Sequence, residues 1–142
     1  MIYSKATEYA LNALVYLAGQ PEKRQCGVNE IADALNIPQH FLGKILQDLR
    51  KHEFVISTRG RYGGFQLARS PEQIGVYDIV ESLEEIQKYE RCIFDEFECT
   101  RDRPCAVVCD WNGVKSRISQ FLKKHSIADL LEVQQFRIVN QL

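Results

Sequence analysis

The chain has 142 residues, 45% of them hydrophobic, and a formal net charge of −1. This length suits one domain, or one small domain with an appended arm, and the composition suits a soluble protein with a core of ordinary size. No run of about eighteen apolar residues is present, which excludes a membrane-spanning protein, and the opening residues lack the apolar core of a signal peptide. We therefore expect a cytoplasmic protein that has no membrane partner.

The small net charge hides a strong asymmetry along the chain. Residues 39–69 contain six basic and two acidic residues, a balance of +4, whereas residues 72–102 contain ten acidic and three basic ones, a balance of −7. The first of these segments can approach a polyanion such as DNA, and the second would be repelled by it.

Three helices are predicted in the first third of the chain. The first runs for about four turns, because apolar side chains recur at helical spacing from Ala6 to Ala18 and Pro21 follows shortly. A short second helix over residues 28–35 is followed by a tight turn, and Pro38 suits the start of the third helix. The predicted buried stripe of the third helix is Phe41, Leu42, Ile45, Leu46 and Leu49. Two short helices joined by so tight a turn indicate a helix-turn-helix.

A β-hairpin is predicted directly after these helices. Two β-prone runs, residues 54–58 and 65–68, surround the glycine-rich segment 59–64, whose glycines permit positive φ. A hairpin in this position is typical of the wing of a winged helix. One more helix is predicted over residues 77–86.

The second half of the chain is predicted to hold a long loop and a long helix. Residues 89–104 show no periodicity, so they form a loop of a length that usually serves a function. After it, apolar residues step by four, three, four and three, which indicates a helix that packs lengthwise on a partner or, alternatively, inside its own subunit. This seam is Val107, Trp111, Val114, Ile118 and Phe121.

The third helix and the hairpin tip together predict an interface for double-stranded DNA. If the buried stripe faces inward, the helix turns hydrogen-bonding or small residues outward near its N-terminus, as recognition in the major groove requires. That face consists of Gln39, His40, Gly43, Lys44 and Gln47. Arg59, Arg61 and Tyr62 lie on the thin hairpin tip, where guanidinium groups can reach phosphates or a narrow minor groove. The conjunction of these features with local positive charge favours DNA binding over an ordinary charged surface.

The predicted fold class is mainly α with a small β-hairpin wing, a winged helix-turn-helix plus a long dimerisation helix. The predicted organisation is a winged-helix DNA-binding domain over residues 1–86 and a cysteine loop over residues 87–105. A dimerisation helix and a C-terminal arm follow over residues 106–142.

The cysteines indicate a metal site or a redox site. Four of the five lie in one window, at Cys92, Cys99, Cys105 and Cys109, whereas Cys26 stands alone and is interpreted as structural or incidental. In a reducing compartment such a group suggests metal binding or redox chemistry before a disulfide framework. Three thiolates at spacings C-x6-C-x5-C can hold one iron-sulfur cluster or one zinc ion, and a spacing wider than that of most zinc knuckles favours the larger inorganic core.

With these residues in view, the chain resembles a known family. The opening segment 3–11, the block 49–51, the glycine-rich wing 59–65 and three of the clustered cysteines resemble the bacterial regulators that include IscR and NsrR, over nearly the whole chain. The resemblance implies a transcription regulator, a homodimeric repressor with crossed long helices. It also implies an iron-sulfur cluster, [4Fe-4S] or [2Fe-2S], near the dimer interface, which senses nitric oxide, oxygen, redox state, or the supply of iron or of clusters.

Carried over residue by residue, the resemblance implies that Cys92, Cys99 and Cys105 are the cluster ligands. For the fourth ligand it implies Glu8, contributed by the partner subunit, and Cys109 is the alternative. The chain departs from the family at two places. Residues 106–108 are Ala-Val-Val, where the iron-sulfur-assembly regulators of the family place a histidine ligand. Gly43 stands where several relatives carry a glutamate on the recognition helix, so the operator sequence of those relatives does not carry over to this chain.

Two alternatives without a cluster stay open. In the first, the four clustered cysteines hold a structural zinc ion, and in the second, two of them form a disulfide on oxidation. An electron-transfer protein or an enzyme is disfavoured, because the three histidines are scattered and the sequence offers neither a phosphate-cradling loop nor a Ser-His-Asp arrangement.

Overall fold

The computed structural model describes residues 3–84 and 108–140. Its elements, in chain order, are α1 (Lys5–Ala18), α2 (Val28–Leu35), α3 (Gln39–Lys51), β1 (Val55–Thr58), β2 (Gly64–Leu67), a short 3-10 helix (Pro71–Gln73), α4 (Val76–Leu83), α5 (Val108–Lys124) and α6 (Ile127–Asn140). Helices make up most of the described residues, and an antiparallel hairpin follows the helix-turn-helix. The predicted fold class, mainly α with a β-hairpin wing after a helix-turn-helix, is therefore confirmed, and the dimerisation role of the long helix stays a prediction.

Local sequence signals set the ends of the first three helices. Ser4 caps α1, since its hydroxyl oxygen accepts a hydrogen bond from the amide of Thr7 at 3.3 Å. Asn36 ends α2 with a left-handed backbone (φ 53°), which asparagine adopts more readily than most residues. Pro38 precedes α3 as its N-cap residue, where the missing amide hydrogen is not needed by the helix. The predicted helix-turn-helix is thus present at the predicted residues.

The buried stripe predicted for α3 is confirmed at four positions and is wrong at one. Leu42, Ile45, Leu46 and Leu49 are buried in a core shared with α1, α2 and the hairpin, whereas Phe41 is 52% exposed. The four buried residues already complete the i, i+3, i+4, i+7 pattern of one helix face. Phe41 lies about a quarter turn from the centre of that face, so its ring emerges at the edge of the core.

The connector between α1 and α2 pairs with the second strand of the hairpin. β1 and β2 pair antiparallel, with Thr58 opposite Gly64 at the tip end. The amide of Cys26 donates to the carbonyl of Phe65 at 2.9 Å, and the amide of Phe65 donates to the carbonyl of Cys26 at 2.8 Å. This approach requires glycine at position 64, because a Cβ there would lie 2.6 Å from the carbonyl carbon of Cys26. Strand β2 is therefore bonded to a third segment, the connector that holds Cys26.

Two helices follow residue 107, and the second of them was not predicted. The C-terminal arm expected after the long helix contains α6, which packs along α1. Its first residue, Ile127, is fully buried, and the amide of Ile127 donates to the carbonyl of Ile74 at 2.9 Å. α5 packs against α4 through Leu122, beside Val76 and Val80. None of the helices in the described parts of the chain has the length and apolar character that a membrane crossing needs.

Candidate nucleic-acid interface and cysteine segment

The outward face of α3 carries the residues predicted to contact DNA. Gln39, His40, Lys44 and Gln47 are exposed, and Gly43 is partly exposed between them. Nothing lies within 4 Å of the place where a Cβ of Gly43 would be, so a shallow gap opens in the middle of this face. Side chains that donate or accept hydrogen bonds therefore surround an open position, a surface that suits the edges of bases in a major groove.

The hairpin tip presents Arg59, Arg61 and Tyr62 to solvent, and Tyr62 is 86% exposed. The guanidinium carbon of Arg61 lies 5.8 Å from the centre of the Tyr62 ring, within the range of a cation–π contact. Gly60 has a φ of 113°, which residues with a Cβ rarely adopt, so the tip can turn tightly and stay thin. Two positive charges and a phenol are thus carried on a narrow projection.

Hydrogen bonds hold the base of the wing to α3. The amide of Phe54 donates to the carbonyl of Leu49 at 3.0 Å, where α3 passes into β1. Arg50 Nη1 also donates to Ser57 Oγ at 3.3 Å, from the last turn of α3 to β1. These bonds tie β1 to the end of α3, so the wing follows directly on the helix whose exposed face is predicted to contact DNA.

Glu8, the fourth ligand implied by the resemblance, lies in the first turn of α1. Its carboxylate is partly exposed and accepts hydrogen bonds from Lys5 Nζ at 2.8 and 3.0 Å. Exposed ion pairs of this kind are weak, so the carboxylate is available to a stronger partner. The ligand role of Glu8 stays a prediction.

The end of α4 meets the same turn of α1. α4 ends at Leu83, earlier than predicted, and Glu84 follows it. One carboxylate oxygen of Glu84 accepts hydrogen bonds from the amide of Ser4, at 2.6 Å, and from the hydroxyl of the fully buried Thr7. The N-terminal turn of α1 is therefore attached to the chain just before the cysteine segment (residues 87–105). The sequence contains no local signal for this contact, because its partners lie about eighty residues apart.

The predicted cluster ligands Cys92, Cys99 and Cys105 lie outside the described residues. The backbone of Cys109 belongs to the first turn of α5, but its side chain is not among the described parts. Within the described ranges 3–84 and 108–140, no group of three or more His, Cys, Asp or Glu side chains is arranged to hold a metal ion. The assignment of the metal ligands therefore stays a prediction.

Cys26 is described, and its environment differs from that of a ligand. The side chain is fully buried, and burial raises the pKa of its thiol, with Glu30 adding to the increase. Arg24 Nη1 lies 3.2 Å from the sulfur and acts in the opposite direction, but by less. Cys26 is thus a small core residue that keeps its proton at neutral pH.

Comparison with known sequences extends over nearly the whole chain. The chain matches the model of the Rrf2 family, described as iron-dependent transcriptional regulators, over residues 3–133. An Aquifex aeolicus protein named as a helix-turn-helix regulator is 39% identical over 137 residues, which cover 95% of this chain and 94% of the relative. NsrR of Geobacillus kaustophilus is 32% identical over 89% of this chain and 86% of its own length. IscR of Sodalis glossinidius is 32% identical over 87% of this chain and 74% of its own length.

Solved structures share the fold over the same extent. CymR, described as the global cysteine regulator of B. subtilis, has a TM-score of 0.77 and 26% identity, covering 92% of this chain and 95% of that chain. IscR of T. potens has a TM-score of 0.75 and 27% identity, covering 92% and 86%. The resemblance seen in the sequence is therefore confirmed, and so is the expectation of a regulator rather than an enzyme. Because the family model spans most of the sequence, the chain belongs to the Rrf2 family of iron-dependent transcriptional regulators.

Proposed function

We propose that this protein is a homodimeric repressor whose affinity for a double-stranded DNA operator depends on an iron-sulfur cluster. The observation that carries the DNA-binding part is the exposed, hydrogen-bonding face of α3, which is tied by hydrogen bonds to the first strand of the wing. The proposed contact residues are Gln39, His40, Gly43, Lys44, Gln47, Arg59, Arg61 and Tyr62. Two copies of this surface in a dimer would contact two half-sites of an operator with matching symmetry.

The donor set of the cysteine segment supports the cluster. Cys92, Cys99 and Cys105 offer three thiolates, the ligand type that iron-sulfur clusters require, and three thiolates leave one iron of a four-iron cluster open. Glu8 of the partner subunit would complete the set, with Cys109 as the alternative. A carboxylate binds iron more weakly than a thiolate does, so that iron would be the one exposed to nitric oxide or to oxidative loss.

The contact between α4 and α1 supports a route from the cysteine segment to the DNA. Glu84 is bonded to Ser4 and Thr7, and α1 packs against α3 in the core. A change in the segment that moves Glu84 or Glu8 would therefore move α1, and with it the placement of the two α3 helices in a dimer. This provides the difference between two states that a ligand-controlled switch needs.

A second candidate is regulation without a cluster. The CymR neighbour is described as the global cysteine regulator of B. subtilis, a description that names no cluster, so regulation without a cluster stays the alternative for this chain. In that case two of the four clustered cysteines would pair on oxidation, or all four would hold zinc. The DNA-binding part of the proposal is the same in each case.

The visible spectrum of anaerobically purified protein, with iron, sulfide and zinc counts, tests the cluster. We expect a coloured protein that loses its absorbance when Cys92, Cys99 or Cys105 is replaced by alanine, whereas the matched variant Cys26→Ala keeps it. Glu8→Ala should change the response of the spectrum and of operator affinity to nitric oxide. Colourless protein that contains zinc, or no metal, would contradict the proposal and favour the second candidate.

A further inference from the structure

Phe41 is a large apolar side chain in an unusual place. It lies in the first turn of α3, where it is half-exposed, while the other large apolar residues of that helix are buried. Its ring centre is 4.4 Å from that of His40, with the two planes inclined at 41°. The two rings therefore support each other at the edge of the core.

Exposure alone would decide nothing, because single apolar residues are common on protein surfaces. The position of Phe41, in the first turn of the second helix of the helix-turn-helix, indicates a function. The N-terminal residues of the second helix in a helix-turn-helix are those that enter the major groove. Phe41 is in contact with His40 on one side, and Lys44, one turn further along α3, is exposed beside it. Both of these neighbours belong to the face proposed to contact DNA.

The chemistry of a phenyl ring limits what it can recognise in that groove. Phenylalanine has no hydrogen-bond donor or acceptor, so it cannot read the N7, O6, O4 or amino groups of the base edges. The apolar feature of the major groove is the C5-methyl group of thymine, and apolar side chains, phenylalanine among them, pack against it. Phe41 is the large apolar side chain that is exposed in the first turn of α3, beside the polar residues of this face.

We propose that Phe41 is a specificity-determining residue that packs against the C5-methyl group of a thymine in the operator, with His40 supporting its ring. The inference rests on the proposed DNA-binding function but not on the cluster. The inference specifies one base, a thymine, in each half-site of the operator. The family resemblance leaves the operator sequence open, because Gly43 lacks the side chain that several relatives carry at this position of the recognition helix.

Replacement of thymine by deoxyuridine tests the contact, since it removes the methyl group and nothing else. The probe is a duplex enriched by the wild-type protein from a random-sequence library. We expect one thymine in each half-site at which deoxyuridine weakens wild-type binding about fourfold, the effect of burying one methyl group. Phe41→Ala should bind both duplexes equally, and the matched variant Phe41→Leu should keep part of the difference.

Two controls separate the possible failures. Thermal unfolding shows that the variants fold, as expected for a half-exposed position, and the dependence of affinity on salt should be unchanged in Phe41→Ala because every phosphate contact remains. If Phe41→Ala is as sensitive to deoxyuridine as the wild-type protein at every thymine, the inference is wrong while DNA binding stands. If the wild-type protein enriches no sequence, the proposed function itself is contradicted.

Discussion

At the scale of single residues, Cys26 illustrates how burial decides the chemistry of a thiol. Its backbone pairs with Phe65 in the second strand of the wing, and its sulfur is enclosed in the core. Burial raises the pKa of the thiol above its ordinary value of 9.0, and the nearby Glu30 carboxylate raises it further. Metal binding and nucleophilic attack both use the thiolate, so Cys26 is a poor ligand and a poor redox partner at neutral pH.

The raised pKa of Cys26 gives a prediction about stability and pH. As pH rises past about 9, the unfolded chain releases the thiol proton before the folded chain does, so folding stability should fall. This part of the pH dependence should be missing in Cys26→Ala. Urea unfolding of both proteins between about pH 7 and about pH 10 measures it. A difference in unfolding free energy that stays constant over this range would contradict the prediction, whatever cost the cavity adds.

At the scale of elements, the parts predicted correctly are those with strong local signals. The turn between α2 and α3 is set by Asn36 and Pro38, and the hairpin by its glycines. α6 was missed because its apolar residues do not form one stripe: Ile127 is buried, whereas Val133 and Ile138 are exposed. Amphipathic periodicity is weak in such a helix, and tertiary packing on α1 determines its position instead.

The contact between Glu84 and Thr7 could not be predicted for a different reason. It joins residues 77 positions apart, and the sequence around neither residue contains a pattern that indicates the contact. We expect Thr7→Val and Glu84→Ala each to lower the free energy of unfolding by about 1–3 kcal/mol, because each change removes one partner of a part-buried hydrogen bond to a carboxylate. In a double-mutant cycle the two changes should be non-additive by about 0.5–3 kcal/mol, measured by urea unfolding. Strict additivity would show that the hydrogen bond does not couple α4 to α1.

The wing gives a prediction that concerns charge. Replacing Arg59 and Arg61 by alanine should weaken operator binding and reduce the dependence of log affinity on log salt by about one unit for each phosphate that is no longer neutralised. The fold should be unaffected, because both side chains are exposed. Fluorescence anisotropy at several salt concentrations measures the slope, with Lys124→Ala, at the exposed end of α5, as a basic control. Unchanged affinity and slope in the double variant would exclude the wing from the interface.

At the scale of the whole molecule, Val107 of the predicted seam lies outside the described residues, and the part of the seam that lies on α5 divides in two. Ile118 is partly buried and packs in the small cluster formed by Val76, Val80 and Leu122 of the same subunit. Val114 and Phe121 are 46% and 63% exposed. Spacing along a helix could not distinguish these roles, because a stripe that faces a partner and a stripe that faces the core have the same period. The homodimer stays a prediction, and the exposed part of the seam is where it can be tested.

Charged substitutions on α5 should therefore have two different outcomes. Val114→Glu and Phe121→Glu place a charge on a surface that is exposed in the single subunit, so the fold should survive while an isologous dimer separates. Ile118→Glu places the charge against Leu122 and Val80, so it should lower the melting temperature of the subunit itself. Light scattering at micromolar concentration, together with thermal unfolding, separates the two effects. A separated dimer should bind single half-sites weakly, because each subunit carries one α3 and one wing. If Val114→Glu and Phe121→Glu both remain dimeric, the dimer interface lies elsewhere on the molecule.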